Sequence, residues 1–220
     1  MNLFSIFDPS TSIMSLSWLV LILSVLFIPI TFWKMNQSTI KIKNKILLTL
    51  SKEISYSLNK KEKGEKTVMI LLFITILIMN VLALYPQVFS PTSHFAITIP
   101  LSLMFGFSLV IYGWFKNTNR MLTHLVPLGS PLAIVMFMVT VELVSTIIRP
   151  MTLCVRLTAN LIAGHLLLAL LGNALTQLSV IPVFIFLPTS LMLVILESTV
   201  ACIQAYVFMT LVTLFMTEVK

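Results

Sequence analysis

Read for apolar and polar positions, the chain alternates long uncharged runs with short polar breaks. The first run, residues 12–33, closes on Trp33 and Lys34, an aromatic and a base of the kind that sit at a membrane interface. Residues 67–85 form a second run, ended by Pro86 and a turn-prone stretch to His94, and residues 95–115 form a third, closed by Trp114 and Lys116. Each is close to the length of about 20 residues that a helix needs to cross a bilayer core. Between the first two, the segment 40–63 mixes isoleucine and leucine with lysine. From Ile46 onward its apolar positions Ile46, Leu50, Ile54 and Leu58 recur at helical spacing, which predicts an amphipathic helix lying on the membrane surface.

From Pro131 onward the pattern changes, because the apolar stretch is broken only at Gly172 to Pro182. Two helices follow, 131–172 and 181–217. At 1.5 Å per residue each is about 60 Å long, roughly twice the hydrocarbon thickness, so they must be broken or steeply tilted, with a kink expected at Pro150. The predicted fold is an all-α membrane protein with one membrane domain over residues 1–220. It has five transmembrane helices plus one surface amphipathic helix, and the last two spans form a long, tilted, antiparallel hairpin.

Composition agrees: 58% of residues are hydrophobic and only 10% charged, against about 25% charged in soluble domains. The net charge of +7 would suit nucleic acid, but nine of the fourteen basic residues lie between Lys34 and Lys66, directly after an apolar run. Such a block marks the side of a membrane that is not translocated. It places the block, Lys116 to Arg120 and the C-terminus inside and the N-terminus outside, and it predicts no nucleic-acid partner. Cys154 and Cys202 sit in apolar segments with no CxxC or Cys/His spacing, so neither a disulfide nor a metal is expected. No phosphate-cradling GxxxxGK[ST] occurs, and no cofactor is expected.

The chemistry is concentrated in the last two helices. From Pro131 to Thr217 the charged residues are Glu142, Arg149, Arg156 and Glu197, joined by one histidine, His165. A charge at the bilayer centre costs roughly 2.5–3.5 kcal/mol on insertion scales and is therefore rare without a task or a partner. Glu142, Arg149 and Arg156 are spaced so that each drifts only about 20° from the last and all stay on one helix face, together with Asn160. His165 lies on the opposite side. A hairpin turning near Val180 brings Arg156 level with Gln204 and His165 level with Glu197, while Glu142 lies farther toward the basic side. Carboxylates and a histidine exchange protons near neutrality, whereas arginine stays charged. Titratable groups on both sides of a fixed positive charge point to two proton half-paths that meet at Arg156. Arg149, beside a proline and nearer the inside, reads as structural. A stand-alone ion-coupled transporter or channel is the alternative; it predicts inverted repeats, which the single asymmetric hairpin does not offer. An intramembrane hydrolase lacks HExxH and a nucleophile spaced beside a base.

The stretches "IIRP", "VRLTANLIAGHLLL", "THLVPLGSP" and "LESTVACIQAYVF" closely resemble the subunit a family of F-type ATP synthases, in its mitochondrially encoded form. The likeness runs across the whole chain from "NLFSIFDPS". It implies the stationary half of a rotary proton channel, without a catalytic site of its own, that couples proton flow across the mitochondrial inner membrane to ATP synthesis. Its implied partners are a ring of carboxylate-bearing c subunits, the peripheral stalk and other membrane subunits, and the lipid bilayer. By the resemblance Arg156 is the arginine that faces the ring carboxylates, with Gln204 beside it. His165 and Glu197 line the half-channel from the intermembrane space, and Glu142 lines the one to the matrix. Bacterial members tend to carry the acid and the histidine the other way round. Met151 and the segment "MNVLALYPQ" depart from the usual pattern and touch no titratable position.

Overall fold

The computed structural model describes residues 7–10, 16–26, 37–57, 63–85, 88–116, 118–126, 132–177 and 180–219. Among them all regular structure is helical. A 3₁₀ turn, Leu16–Trp18, leads into α1 (Leu19–Leu26), followed by α2 (Gln37–Ser57), α3 (Lys63–Ala83), α4 (Phe95–Lys116), α5 (Thr118–Leu125), α6 (Leu132–Gln177) and α7 (Val180–Val219). Among the described residues, four helical segments are long and apolar enough to cross a membrane: Gly64–Ala83, Phe95–Lys116, Ile134–Leu175 and Phe186–Thr217. Of the first predicted span, only 16–26 falls within the described residues; the end of the segment 40–63 lies outside them too, at 58–62.

Two features differ from the sequence expectation. The helix α5 was not foreseen: its eight residues, TNRMLTHL, are too few and too polar to register in a search for apolar runs. The break between the long helices is also narrower than Gly172 to Pro182. α6 continues through Gly172 to Gln177, giving 46 residues, and α7 starts at Val180 and has 40. Gly172 costs a helix only about 1 kcal/mol relative to alanine, and Pro182 falls in the first turn of α7, where amide hydrogens have no intrahelical acceptor to lose.

The long helices lie against each other, α3 packs on α7, and α4 packs on α6. α2 reaches α3 and α7, and α1 lies against α3. The apolar stripes meet in one cluster. Ile54 of α2, Leu72 and Ile76 of α3, Leu157 of α6, and Phe208 and Met209 of α7 are all buried in it. Within α7 the buried members Ala205, Phe208, Met209, Val212 and Met216 recur at the i, i+3, i+4 spacing of a single face. Pro150 is accommodated inside α6 by a glycine on α4: a Cβ on Gly106 would stand 2.7 Å from the Pro150 Cβ. Small residues at such crossings allow close backbone approach, which is how membrane helices gain packing energy. Gly106→Val is expected to lower stability by about 1–3 kcal/mol through overpacking against a rigid ring. A reduced melting temperature in detergent would register it, and an unchanged one would remove this contact from the packing argument.

The α3–α4 connection is held from within. Its 3₁₀ turn Pro91–Ser93 is buried against α3, α4 and α6. Ser90 Oγ donates to Ser93 Oγ at 2.9 Å. Phe89 stacks on His94 with ring centroids 5.0 Å apart, and Trp18 closes the cluster from the other side. The start of α4 is tied to α6 by Cys154 Sγ, which donates to Thr98 Oγ1 at 3.4 Å, so this thiol acts as a buried packing group.

Candidate functional site

The site is built on the facing sides of α6 and α7, with α3 closing one flank. Asn160 Nδ2 donates to Gln204 Oε1 at 3.3 Å. Farther along the pair of helices, His165 Nε2 lies 3.9 Å from Glu197 Oε1, with only 11% and 6% of the two side chains exposed. That separation is too long for a hydrogen bond. Glu197 has room because the residue facing it is glycine: a Cβ on Gly164 would come within 2.7 Å of Glu197 Oε1. The His165 ring lies beside the Ala83 carbonyl at the end of α3. Phe7 meets it edge-on, with centroids 6.2 Å apart.

α3 contributes a residue that the sequence reading missed. Asn80 is buried, and its Nδ2 donates to the Ala201 carbonyl of α7 at 3.4 Å. The signal was present, since Asn80 is the only carboxamide in the run 67–85, and amides in membrane helices are usually aimed at another helix. Asn80, Asn160, Glu197 and Gln204 are the polar lining of a cavity of about 190 Å³ whose other walls are leucine, alanine, glycine and valine. A single water needs about 10–15 Å³ of such space. Asn80 Oδ1, both Glu197 carboxylate oxygens, Gln204 Nε2 and His165 Nε2 are buried and hydrogen-bonded to no protein group. Buried polar atoms are nearly always paired, so five of them converging here mark a polar enclosure within an apolar bundle.

Arg156 stands on the other side. It is exposed, as is Asn160, and it makes no hydrogen bond or ion pair among the described residues. It lines a second cavity, of about 290 Å³, with Arg149, Ser102, Thr152 and the aromatic rings of Phe105, Phe208 and Phe215. The two cavities touch α6 on successive turns, Leu153 and Arg156 lining one and Leu157 and Asn160 the other. Gln204, expected level with Arg156, bonds instead to Asn160, one turn along. Glu142 is not brought near Arg156. Its carboxylate lies 3.9 Å from Arg149 Nη2, both side chains being almost half exposed, and the Arg149 guanidinium sits 5.8 Å from the Phe215 ring centroid. A pair so exposed contributes about 0–1 kcal/mol. Among the described residues no three His, Cys, Asp or Glu side chains gather as a metal would require.

A sequence profile of the ATP synthase A chain family matches residues 13–217. The chain belongs to this family. Relatives named ATP synthase subunit a are similar over essentially their full length. The protein of Locusta migratoria is 45% identical over 221 residues, which cover 99% of this chain and 98% of the relative. That of Anopheles gambiae is 46% identical over 223 residues, covering 100% and 99%. That of Drosophila melanogaster is 46% identical over 221 residues, again covering 100% and 99%. The family is the proton-translocating membrane subunit of the ATP synthase.

Proposed function

We propose that the chain is the stationary wall of two offset proton half-channels, closed on its exposed α6 face by a rotating ring of c subunits. Protons enter from the intermembrane space past His165 and Glu197, where Asn80, Asn160 and Gln204 hold a polar path to the ring. They neutralise a ring carboxylate, travel round with it through lipid, and leave on the far side of Arg156 past Glu142 to the matrix. Arg156 favours the ionised carboxylate as it passes and bars direct flow between the two paths. The observation that carries the reading is the position of this exposed arginine, unpaired among the described residues: it lines one cavity, and the next turn of α6 lines another that holds a buried carboxylate and three amides.

In the same reading the chain has five spans, with α2 on the matrix surface beside the lysine block, the N-terminus in the intermembrane space, and α6 and α7 steeply tilted. Peripheral-stalk and other membrane subunits hold it against the ring. Disulfide trapping tests the contact. Cys202, which is exposed, is first replaced by serine. Ala159→Cys, on the exposed flank of Arg156, is then paired with a cysteine one turn from the ring carboxylate. A covalent adduct between the two chains in the intact complex is expected. Trapping at Ser108 of α4, which is also exposed, but not at Ala159 would put the ring on a different face and end this proposal.

A further inference from the structure

The lysine-rich helix α2 has no role in proton transfer, yet it borders an open groove of about 540 Å³ between itself and the first turns of α3. That volume lies within the range of about 300–1,000 Å³ typical of small-molecule sites. From α2 the groove takes Leu47 and Leu48 with Asn44 and Ser51; from α3 it takes Ile70, Leu71 and Ile74. Leu48 and Leu71 are 60% and 49% exposed, so the aliphatic floor is uncovered among the described residues.

The arrangement around α2 is ordered. At about 100° per residue, Asn44, Leu47, Leu48 and Ser51 share one arc of the helix, with the buried Leu50 and Ile54 on one side of it. Lys41, Lys45 and Lys52 fall together on the other side, within an arc of about 40°. All three are exposed, and none forms an ion pair among the described residues. The single acidic side chain of α2, Glu53, lies about 80° or more beyond them. The helix therefore presents core, aliphatic groove and cationic rim in that order. An acidic peptide would match the rim but leave the groove unfilled, and a neutral lipid would match the groove but not the rim. A molecule with a hydrocarbon chain and an anionic head matches both.

We propose that the α2–α3 groove binds an anionic glycerophospholipid of the adjoining leaflet. An acyl chain lies along Leu47, Leu48, Ile70, Leu71 and Ile74, and the phosphate is held by Lys41, Lys45 and Lys52. This site rests on the reading of α2 as a surface helix and gives the lysine block a function beyond orienting the chain. Basic residues at a membrane surface attract anionic lipid with a strength that corresponds to about fivefold in binding per lysine.

The test uses the intact complex in mild detergent, with phosphatidylglycerol carrying a photoactivatable acyl chain, or phosphatidylcholine with the same chain, and adducts mapped by peptide mass spectrometry. Adducts are expected on the groove segments of α2 and α3, favouring phosphatidylglycerol by at least about fivefold at low salt. The preference should vanish at about 1 M salt, where screening is nearly complete. It should also vanish in the triple variant K41Q/K45Q/K52Q, while Leu71→Trp, which fills the groove, should suppress labelling by both lipids. Equal labelling by the two lipids in the wild type overturns the proposal without any variant. So does an absence of groove adducts, which would mean that another subunit covers the surface. Competition by millimolar inorganic phosphate would assign the rim to a free anion and overturn it as well. ATP-driven proton pumping by the same complex reconstituted into vesicles reports on the half-channels separately, so a complex that pumps but does not discriminate between lipids refutes the lipid site alone.

Discussion

Arg156→Ala should abolish ATP-driven proton pumping in membrane vesicles while leaving the assembled complex permeable to protons. A guanidinium about 4 Å from a ring carboxylate is worth about 4 kcal/mol at an effective dielectric of 20. Its loss shifts the balance between ionised and protonated carboxylate by a factor of about a thousand, at 1.36 kcal/mol per pKa unit. Without that bias the carboxylate has no reason to release its proton at this point. On the proposed mechanism no fixed positive charge then stands between the two half-paths, whose cavities meet α6 on successive turns around Leu153 to Asn160. Arg156→Lys should recover little, because lysine loses its proton readily in an apolar setting and would itself become a carrier. Arg149→Ala is the control. Its contact with Glu142 is long and nearly half exposed, so most pumping should survive. Normal pumping in both alanine variants would make the α6 charges structural and remove the half-channel mechanism.

Glu197→Gln is the second large effect. Glu197 is the one carboxylate in the buried enclosure, and the amide keeps its shape while ending its ability to take up and release a proton. Positioned acid–base groups contribute about 10²–10⁴-fold to proton-transfer rates, and proton flux through the assembled complex should fall by at least the lower figure. Glu197→Asp should retain a measurable fraction. Gly164→Ala should fall between them with every titratable group intact, since the new methyl would displace the carboxylate. Assembly is monitored in parallel by the yield of intact complex. Unchanged flux in Glu197→Gln would exclude this enclosure from the proton path, whatever the result at Arg156.

The hydrophobic runs were informative where a helix is long and uniform. Those at 67–85 and 95–115 fall within a residue or two of the ends of α3 and α4, apart from the polar first turn of α3. They failed where polarity and helicity part company. α5 is helical without being apolar, and the single Gly172 costs a 46-residue helix too little to end it. Counting residues outward from the α6–α7 turn placed His165 level with Glu197, and the two lie 3.9 Å apart. The same count aligned Arg156 with Gln204, yet the amide reaches Asn160. Side chains on a helix lean toward its N-terminus, so a count along the backbone locates a partner only to within about one turn. Asn80 and Phe7 were beyond such counting, because their positions depend on how α3 and Phe7 lie against α6 and α7, which no periodicity encodes.

The bond from Asn80 to Ala201 spans 121 residues of chain, and Phe7 touches a ring 158 positions later, so the enclosure draws on the beginning, middle and end of synthesis. α3 enters the bilayer long before α7 exists, and its amide must wait there without the carbonyl that will receive it. Contacts of such long sequence separation form late and leave incomplete states exposed in the meantime. A chain ended before Val180 keeps Asn80 and His165 but lacks the helix that supplies Glu197, Ala201 and Gln204. For this fold, insertion and completion are separate events: the polar groups are committed to the membrane first, and the last forty residues determine whether they become an enclosure or remain a liability.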